Sequence, residues 1–152
     1  MPAFRFRAQP ALDLRRREHD AAQRALARAD AERHQARTRL EAGERAIARA
    51  RDDADRAART GAAGHDREWY RFWIVRLDRE RAALQADCDR AEAAVHVAQA
   101  ACLETKRRCE ALERFRDKAL AAHRAAEEAE ERKIIDDLAT QRFALRERAQ
   151  GA

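Results

Sequence analysis

The sequence predicts an all-α protein in which two long helices pair as an antiparallel coiled-coil hairpin. Its 152 residues are rich in Ala, Arg, Glu and Leu, with 40% charged residues, a composition typical of long helices and coiled coils. Ser and Asn are absent, and there are only four glycines and two prolines, so the turn residues that a β-rich domain requires are missing. Apolar residues recur at alternating steps of three and four, which is the coiled-coil spacing. The length corresponds to a single domain over residues 1–152.

The first helix is predicted over residues 10–59. Pro10 suits the first turn of a helix, where its missing N–H costs nothing. Two lines of mostly apolar or small residues then follow a heptad spacing. One line is Leu12, His19, Leu26, Arg33, Leu40, Ile47 and Ala54, and the other is Arg15, Ala22, Ala29, Ala36, Gly43, Ala50 and Ala57. Gly61 and Gly64 then predict a turn over about 60–65.

The second helix is predicted over residues 66–148, with Asp66 as its side-chain cap. Neither Gly nor Pro occurs from residue 65 through 150. The apolar stripe of this helix comprises Tyr70, Ile74, Leu77, Arg81, Leu84, Cys88, Ala91, Val95, Ala98, Cys102, Thr105, Cys109 and Leu112. Seven-residue steps separate sulfur atoms by roughly 10 Å, too far for two of them to bind one metal ion. The three cysteines are therefore interpreted as small apolar residues of the helix interface.

An antiparallel hairpin brings together residues whose numbers sum to about 124. In this register Ile47 faces Leu77, and Ala50 faces Ile74. Small side chains then meet large ones, which allows two helices to interdigitate without voids. Gly43 and Arg81 interrupt the pattern, because apolar residues are expected at their positions. A long parallel dimer is the alternative arrangement.

The second helix is expected to extend beyond the first. After Leu112 the stripe positions hold mostly charged or small residues, namely Arg116, Ala119, His123, Ala126, Glu130 and Lys133. Helical character nevertheless continues for about 30 residues, roughly 45 Å at 1.5 Å per residue. A single unpacked helix has little stability of its own, so this overhang predicts a partner.

Apolar character returns near the end of the overhang. Ile134, Leu138 and Leu145 are spaced at i, i+4 and i+11 and share one helical face, with Ile135 and Phe143 beside them. One interpretation is that this end packs onto the N-terminal Phe4 and Phe6. The other is that it inserts into another protein, and both can hold together.

A second group of exposed apolar residues is predicted just after the turn. Trp69, Phe72 and Trp73 are spaced at i, i+3 and i+4, so they share a face, and that face is not the helix interface. Exposed aromatic clusters usually mark a contact site. The alternative is that they fold over the glycine turn.

Composition also argues against several functions. Serine nucleophiles and glycine-rich phosphate loops are missing, and carboxylates on a solvated helix lack a pocket that could shift their pKa values; we therefore expect no enzyme, no cofactor and no metal site. The chain lacks an apolar stretch of about 18 residues and a secretory signal, so we expect a cytoplasmic protein without membrane insertion. A pI near 9.7 keeps a generic scaffold or nucleic-acid-binding coiled coil as the alternative function. Most arginines, however, have an acidic neighbour three or four residues away, so nucleic acid is not an expected partner.

Three segments of the chain resemble the FliJ family. The first is Phe4-Arg5-Phe6-Arg7 with the following Pro10, Leu12 and Leu14, and the second is Tyr70, Trp73, Ile74 and Leu77. The third runs from Arg132 to Ala139, with the sequence RKIIDDLA, and is similar to the family's basic, acidic, hydrophobic and Ala end motif. The YscO-type stalk of injectisomes has a similar shape, and the Phe-Arg-Phe-Arg opening favours the flagellar family.

The resemblance implies a non-enzymatic component of the flagellar type III export apparatus, located in the cytoplasm at the inner membrane. Such a protein resembles the central stalk of rotary ATPases. It would insert its paired chain ends into the export ATPase hexamer, promote ring assembly, and contact the membrane export gate and the export chaperones. The implied ATPase-facing end comprises Phe4, Phe6, Ile134, Ile135, Asp136, Leu138 and Ala139. The implied gate-facing surface comprises Trp69, Phe72, Trp73 and Leu77.

Overall fold

A computed structural model describes residues 3–150, with side chains through residue 149. Two helices contain nearly all of these residues: α1, Gln9–Arg59, and α2, Gly64–Gln150. The helices are antiparallel and joined by one short turn, which confirms the predicted all-α hairpin. The observed bounds differ from the predicted 10–59 and 66–148 by at most two residues at any end.

The turn depends on one glycine in the left-handed region. Gly61 has a φ of 79°, and the N–H of Ala62 donates to the carbonyl oxygen of Ala57 at 3.0 Å. This is the Schellman arrangement, in which a left-handed residue after the helix lets the chain satisfy carbonyls of the last turn. The Thr60 hydroxyl donates to the Arg56 and Ala57 carbonyls, both at 3.1 Å. The carboxyl end of α1 is therefore closed by its own neighbours.

Asp66 lies inside the first turn of α2. The helix begins at Gly64, and the Ala63 carbonyl accepts hydrogen bonds from the N–H groups of Asp66 and Arg67 at 3.1 and 3.3 Å. The prediction that Asp66 is the cap is therefore wrong, because the helix starts two residues earlier. Its carboxylate lies 2.9 Å from His65 Nε2 and belongs to the first turn of the helix, where negative charge is favourable.

The residues group into two compact units, each of which contains part of both helices. We call Glu18–Thr105 the turn unit, and residues 3–17 with 106–150 the terminal unit. The core of the turn unit is a cluster of Ile47, Ala50 and Leu77, against which Ala46 and Ile74 pack. The predicted facing of Ile47 with Leu77 and of Ala50 with Ile74 agrees with this cluster. Ala36, Cys88 and Val95 are also buried in this unit.

Polar side chains in the turn unit agree with the same register. Thr105 donates its hydroxyl proton to the Cys102 carbonyl at 2.9 Å, so the 3.1 Å contact with His19 makes Nδ1–H of the imidazole the donor to Thr105. Arg37 pairs with Glu92 at 3.0 Å and Arg51 with Asp78 at 3.6 Å. These exposed ion pairs contribute at most about 1 kcal/mol each. The two pairs occupy the same heptad position on each helix. They therefore favour this register over shifted ones more than they add to stability.

The Gly43 and Arg81 positions have a steric explanation. A Cβ atom at Gly43 would lie 2.9 Å from Cδ1 of Leu84, so the missing side chain admits this leucine between the helices. The Arg81 side chain turns towards solvent, with its Nε 3.9 Å from Asp78 Oδ1. Neither residue therefore needs the apolar side chain that the heptad pattern predicts.

The terminal unit also has a small apolar interface between the two helices. Leu12 is fully buried and Cys109 is buried, while Leu112 is half-buried. The Arg16 guanidinium donates from Nη2 and Nε to Oε1 of Glu113 at 3.0 and 3.2 Å. This hydrogen bond to Glu113 raises the pKa of Arg16. The three cysteines form no disulfide with one another, and Cys102 is half-buried while Cys88 and Cys109 are buried, in agreement with their predicted packing role.

The two turn glycines form a matched pair for testing the turn. Gly61→Ala should lower the free energy of unfolding by about 1–2 kcal/mol, because a left-handed conformation is unfavourable for a residue with a Cβ atom. Gly64→Ala should leave it unchanged or raise it by up to about 1 kcal/mol, since Gly64 is helical and nothing lies within 4 Å of an added Cβ. Urea denaturation followed by circular dichroism measures both. Equal effects of the two substitutions would contradict the assigned turn.

The close approach at Gly43 can be tested against its exposed neighbour. Gly43→Leu should lower the unfolding free energy by about 1–2 kcal/mol, because overpacking against Leu84 outweighs the gain in helix propensity. Ala42→Leu should change it by less than about 0.5 kcal/mol, since Ala42 is exposed. The same denaturation assay applies. A Gly43→Leu variant as stable as the wild type would show that the helices do not meet there.

Candidate partner-binding surfaces

The terminal unit contains a stretch of α2 that is exposed on all sides. Among residues 126–149 only Glu127, which lies 3.5 Å from His123, is half-buried, and every other side chain is exposed. We call residues 126–149 the free segment. The exposure follows from the sequence, because the residues of this stretch that continue the stripe are charged or alanine. The predicted overhang of the second helix is thus present in this unit.

Phe4 and Phe6 pack before the free segment begins. The Phe4 ring lies edge-on to His123 with ring centroids 5.5 Å apart, and the Phe6 ring lies 5.7 Å from that of Phe115. His123 precedes Ile134 by eleven residues, about 16 Å along a helix. The structure therefore does not bring these two phenylalanines to the apolar end of α2, as the first interpretation of that end required. They attach the N-terminal residues to α2 instead.

The apolar face of the free segment is open to solvent. Ile134, Leu138 and Leu145 expose 53%, 49% and 65% of their surface, and their spacing places them within one narrow stripe. Ile135 lies at the edge of that stripe. Phe143 lies nine residues after Ile134, two and a half turns, and therefore points to the opposite side, which corrects its predicted place beside the others.

The remaining residues predicted for this end are exposed as well. Ala139 is exposed, and so is Asp136, whose carbonyl accepts the Thr140 hydroxyl proton at 2.8 Å. Glu130 and Glu131 lie next to Ile134 on the helix surface. The free segment therefore has one apolar face, and the rest of its surface is mainly charged apart from Phe143.

The turn unit carries the second surface, which we call the aromatic cluster: Trp69, Phe72 and Trp73. The rings of Trp69 and Trp73 are stacked, with centroids 5.9 Å apart and an interplanar angle of 13°, and Trp69 also meets Tyr70 edge-on at 5.1 Å. The Arg76 guanidinium lies 5.7 Å from the Trp73 ring, in cation–π range. Phe72 is 74% exposed. The stacked rings hold one another, while Phe72 remains free to contact a partner.

Leu77 does not belong to this exposed surface. It is 8% exposed and lies in the core between Ile47 and Ala50, so of the four residues predicted for the gate-facing surface only the three aromatic ones are accessible. A groove beside Phe72 is lined in addition by Val75, Arg71 and Arg79. These residues are not among the predicted ones, although Val75 follows Phe72 at i+3, a spacing that places two side chains next to each other on a helix.

Both surfaces are made of exposed side chains on α2. Within residues 3–150, no group of three or more His, Cys, Asp or Glu residues is placed to hold a metal ion. In the same part of the chain, no helix combines the length and apolar character needed to span a bilayer.

Comparison with known proteins adds a family. The family model described as Flagellar FliJ protein matches residues 4–148, so the match includes the N-terminal phenylalanines, the aromatic cluster and nearly all of the free segment. A search of curated proteins and a search of solved structures returned no match. The chain therefore belongs to the FliJ family, a non-catalytic component of the flagellar type III export apparatus.

Proposed function

We propose that this protein is the central stalk of the export ATPase. The free segment enters the pore of the ATPase hexamer and promotes ring assembly and activity. The aromatic cluster contacts the export gate, so the protein acts in the cytoplasm at the inner membrane. The observation that carries the proposal is the free segment itself, a long stretch of helix that has an apolar face and no covering element within residues 3–150.

The energetics of the free segment support insertion. About half of the surface of Ile134, Leu138 and Leu145 faces water. Burying this exposed part in a partner would contribute about 1 kcal/mol of binding free energy per side chain. Three such side chains contribute about 3 kcal/mol, which corresponds to roughly a hundredfold in affinity. A helix inside a pore is surrounded, so Ile135, Asp136 and Ala139 would face other subunits of the ring.

The N-terminal residues have a supporting part in this proposal. Phe4 and Phe6 hold the start of the chain against His123 and Phe115, directly before the free segment. They would keep the base of the inserted helix rigid, while the free segment itself makes the contacts inside the ring.

Asymmetry supplies a mechanism for such a stalk. One stalk inside a ring of six identical subunits contacts some subunits better than others at any moment. A ligand shifts a conformational equilibrium by its difference in affinity for the two states. Preferential contact with one subunit state would therefore bias both ring assembly and the catalytic cycle of the ring.

The aromatic cluster supports a contact with the export gate. Trp is enriched among the residues that dominate binding energy, and aromatic residues including Phe are enriched in interfaces. The stacking of Trp69 on Trp73 reduces the conformational freedom lost on binding. Leu77 beneath them would support the surface through the core. The export chaperones are further proposed partners, and family membership is what supports them.

Charges on the apolar face should abolish stimulation of the ATPase. In Ile134→Asp/Leu138→Asp, two carboxylates would have to be desolvated on insertion, and we expect stimulation of ATP hydrolysis to fall at least tenfold. Helix content by circular dichroism should remain near the wild-type value, because these side chains are exposed. The assay is ATP hydrolysis by the purified export ATPase over a titration of the full chain.

Thr140→Asp/Ala144→Asp is the matched control, because it adds two carboxylates at the same i, i+4 spacing away from the apolar face. We expect it to retain most of the stimulation, because Thr140 and Ala144 lie on the side of the helix that already carries Asp136 and Asp137 and that a polar part of the ring would face. Full stimulation by the Ile134→Asp/Leu138→Asp variant would remove the free segment from the mechanism.

Truncation of the aromatic cluster should separate the two surfaces. Trp69→Ala/Phe72→Ala should weaken binding to the cytoplasmic domain of the export gate about thirtyfold, the equivalent of 2 kcal/mol at an interface centre, with ATPase stimulation unchanged. Val97→Ala, which truncates an exposed apolar side chain elsewhere in the turn unit, should bind normally. Isothermal titration calorimetry gives the affinities, and equal values for all three proteins would exclude the cluster from the gate contact.

A further inference from the structure

The net positive charge of the chain comes from one part of the terminal unit. Residues 3–17 and 106–125, which we call the basic block, contain twelve Lys or Arg and four Asp or Glu, a net charge of +8. The whole chain has a net charge of +5, so the remaining residues together are slightly acidic. The charge alternation along the sequence conceals this concentration.

The four acidic residues of the block are already engaged. Asp13 accepts a hydrogen bond from Gln9 at 2.9 Å, and Glu113 binds Arg16 at 3.0 Å. Asp117 lies 3.1 Å from Arg116. Glu110 lies between two cations, at 3.8 Å from Lys106 and 3.9 Å from Arg114. Four carboxylates are too few to balance the twelve cations of the block.

Several cations of the block face solvent. Six exposed side chains form no ion pair or hydrogen bond with any described residue: Arg5, Arg7, Arg17, Arg107, Lys118 and Arg124. Arg107, Arg114 and Lys118 are spaced at i, i+7 and i+11, so they line one face of α2. This face is an extended cationic surface on a rigid helix.

We propose that the basic block docks on an acidic protein surface at the mouth of the export ATPase pore. The inference rests on the proposed function, because the free segment must enter the pore for the block to reach its mouth. Arg124 precedes Ile134 by ten residues, about 15 Å of helix. Insertion of the apolar face therefore leaves the block at the rim of the ring.

The charge of the adjoining free segment favours a protein partner over a phosphate polymer or an anionic bilayer. Residues 126–149 contain seven acidic and five basic side chains, and four of the acidic ones, Glu127, Glu128, Glu130 and Glu131, directly follow the block. An extended anionic surface that ran along the helix would meet these carboxylates. A rim of carboxylates would end at the mouth, and guanidinium groups match carboxylates with paired hydrogen bonds.

This contact governs the rate at which the stalk enters the ring. Complementary charges at the edge of an interface mainly accelerate association, whereas buried apolar contacts mainly slow dissociation. The basic block therefore steers the free segment to the pore, and the apolar face retains it there.

Stopped-flow binding of the full chain to the purified export ATPase tests the inference. In Arg107→Gln/Arg114→Gln/Lys118→Gln, the association rate should fall about tenfold at about 50 mM salt and approach the wild-type rate at about 500 mM, with the dissociation rate nearly unchanged. Arg24→Gln/Arg28→Gln/Arg39→Gln removes the same charge from exposed positions of the turn unit and should associate at the wild-type rate.

Two results would overturn the inference. One is an unchanged association rate of the Arg107→Gln/Arg114→Gln/Lys118→Gln variant at low salt. The other is normal ATPase association combined with lost binding to vesicles of about 30% phosphatidylglycerol or to a DNA duplex of about 30 base pairs, which would assign the block to those ligands. Failure of the proposed function has a different signature, since Ile134→Asp/Leu138→Asp would then stimulate the ATPase normally.

Discussion

The packing of small residues against large ones is the constraint on which this protein depends. The chain has few large apolar side chains, so its helices can exclude water only where Gly or Ala on one helix lets Leu, Ile or Val of the other come close. Gly43 beside Leu84, and Ala46 and Ala50 around Leu77, show this packing in the turn unit. Where α2 has no such complement, its side chains remain exposed, and the free segment begins.

The same constraint explains where function can be located. The interface between two helices is narrow and is filled by the apolar residues of the heptad stripe. Other large apolar side chains of the helices therefore face solvent or a partner, unless the residues before α1 cover them, as Phe6 does at Phe115. Trp69 and Phe72 lie outside the stripe in the turn unit, and Ile134 and Leu138 lie beyond its end in the terminal unit. Each pair lies where the heptad pattern does not apply. Each is available for contact with a partner, because residues 3–150 contain no third element that covers it. The basic block adds charge next to the second of them.

Heptad spacing was sufficient to predict the helices and the register, because every residue of the apolar stripe follows the same periodicity.

The predictions that were wrong concern positions that depend on single contacts. The Asp66 side chain suits a cap position, yet α2 begins two residues earlier, at Gly64. Phe4 and Phe6 precede the first helix, so no helical periodicity predicts their place, and their contacts with His123 and Phe115 depend on the fold. Leu77 is predicted both in the apolar stripe and on the gate-facing surface. It lies in the core, because a buried leucine stabilises the fold more than an exposed one. The basic block is not evident from the local sequence, because acidic and basic residues alternate there. It is not evident from the net charge of the whole chain either, which is only +5.

The distance between two exposed positions on opposite helices tests the doubled-back chain most directly. Spin labels at Arg39→Cys and Gln85→Cys, with Cys88, Cys102 and Cys109 replaced by alanine, can be measured by pulsed electron paramagnetic resonance in excess unlabelled protein. An antiparallel hairpin predicts a separation below about 30 Å, since two packed helices with their labels span little more than two helix diameters. A separation near 70 Å, the length of a continuous helix over the same residues at 1.5 Å each, would contradict the hairpin and with it the geometry of the proposed stalk.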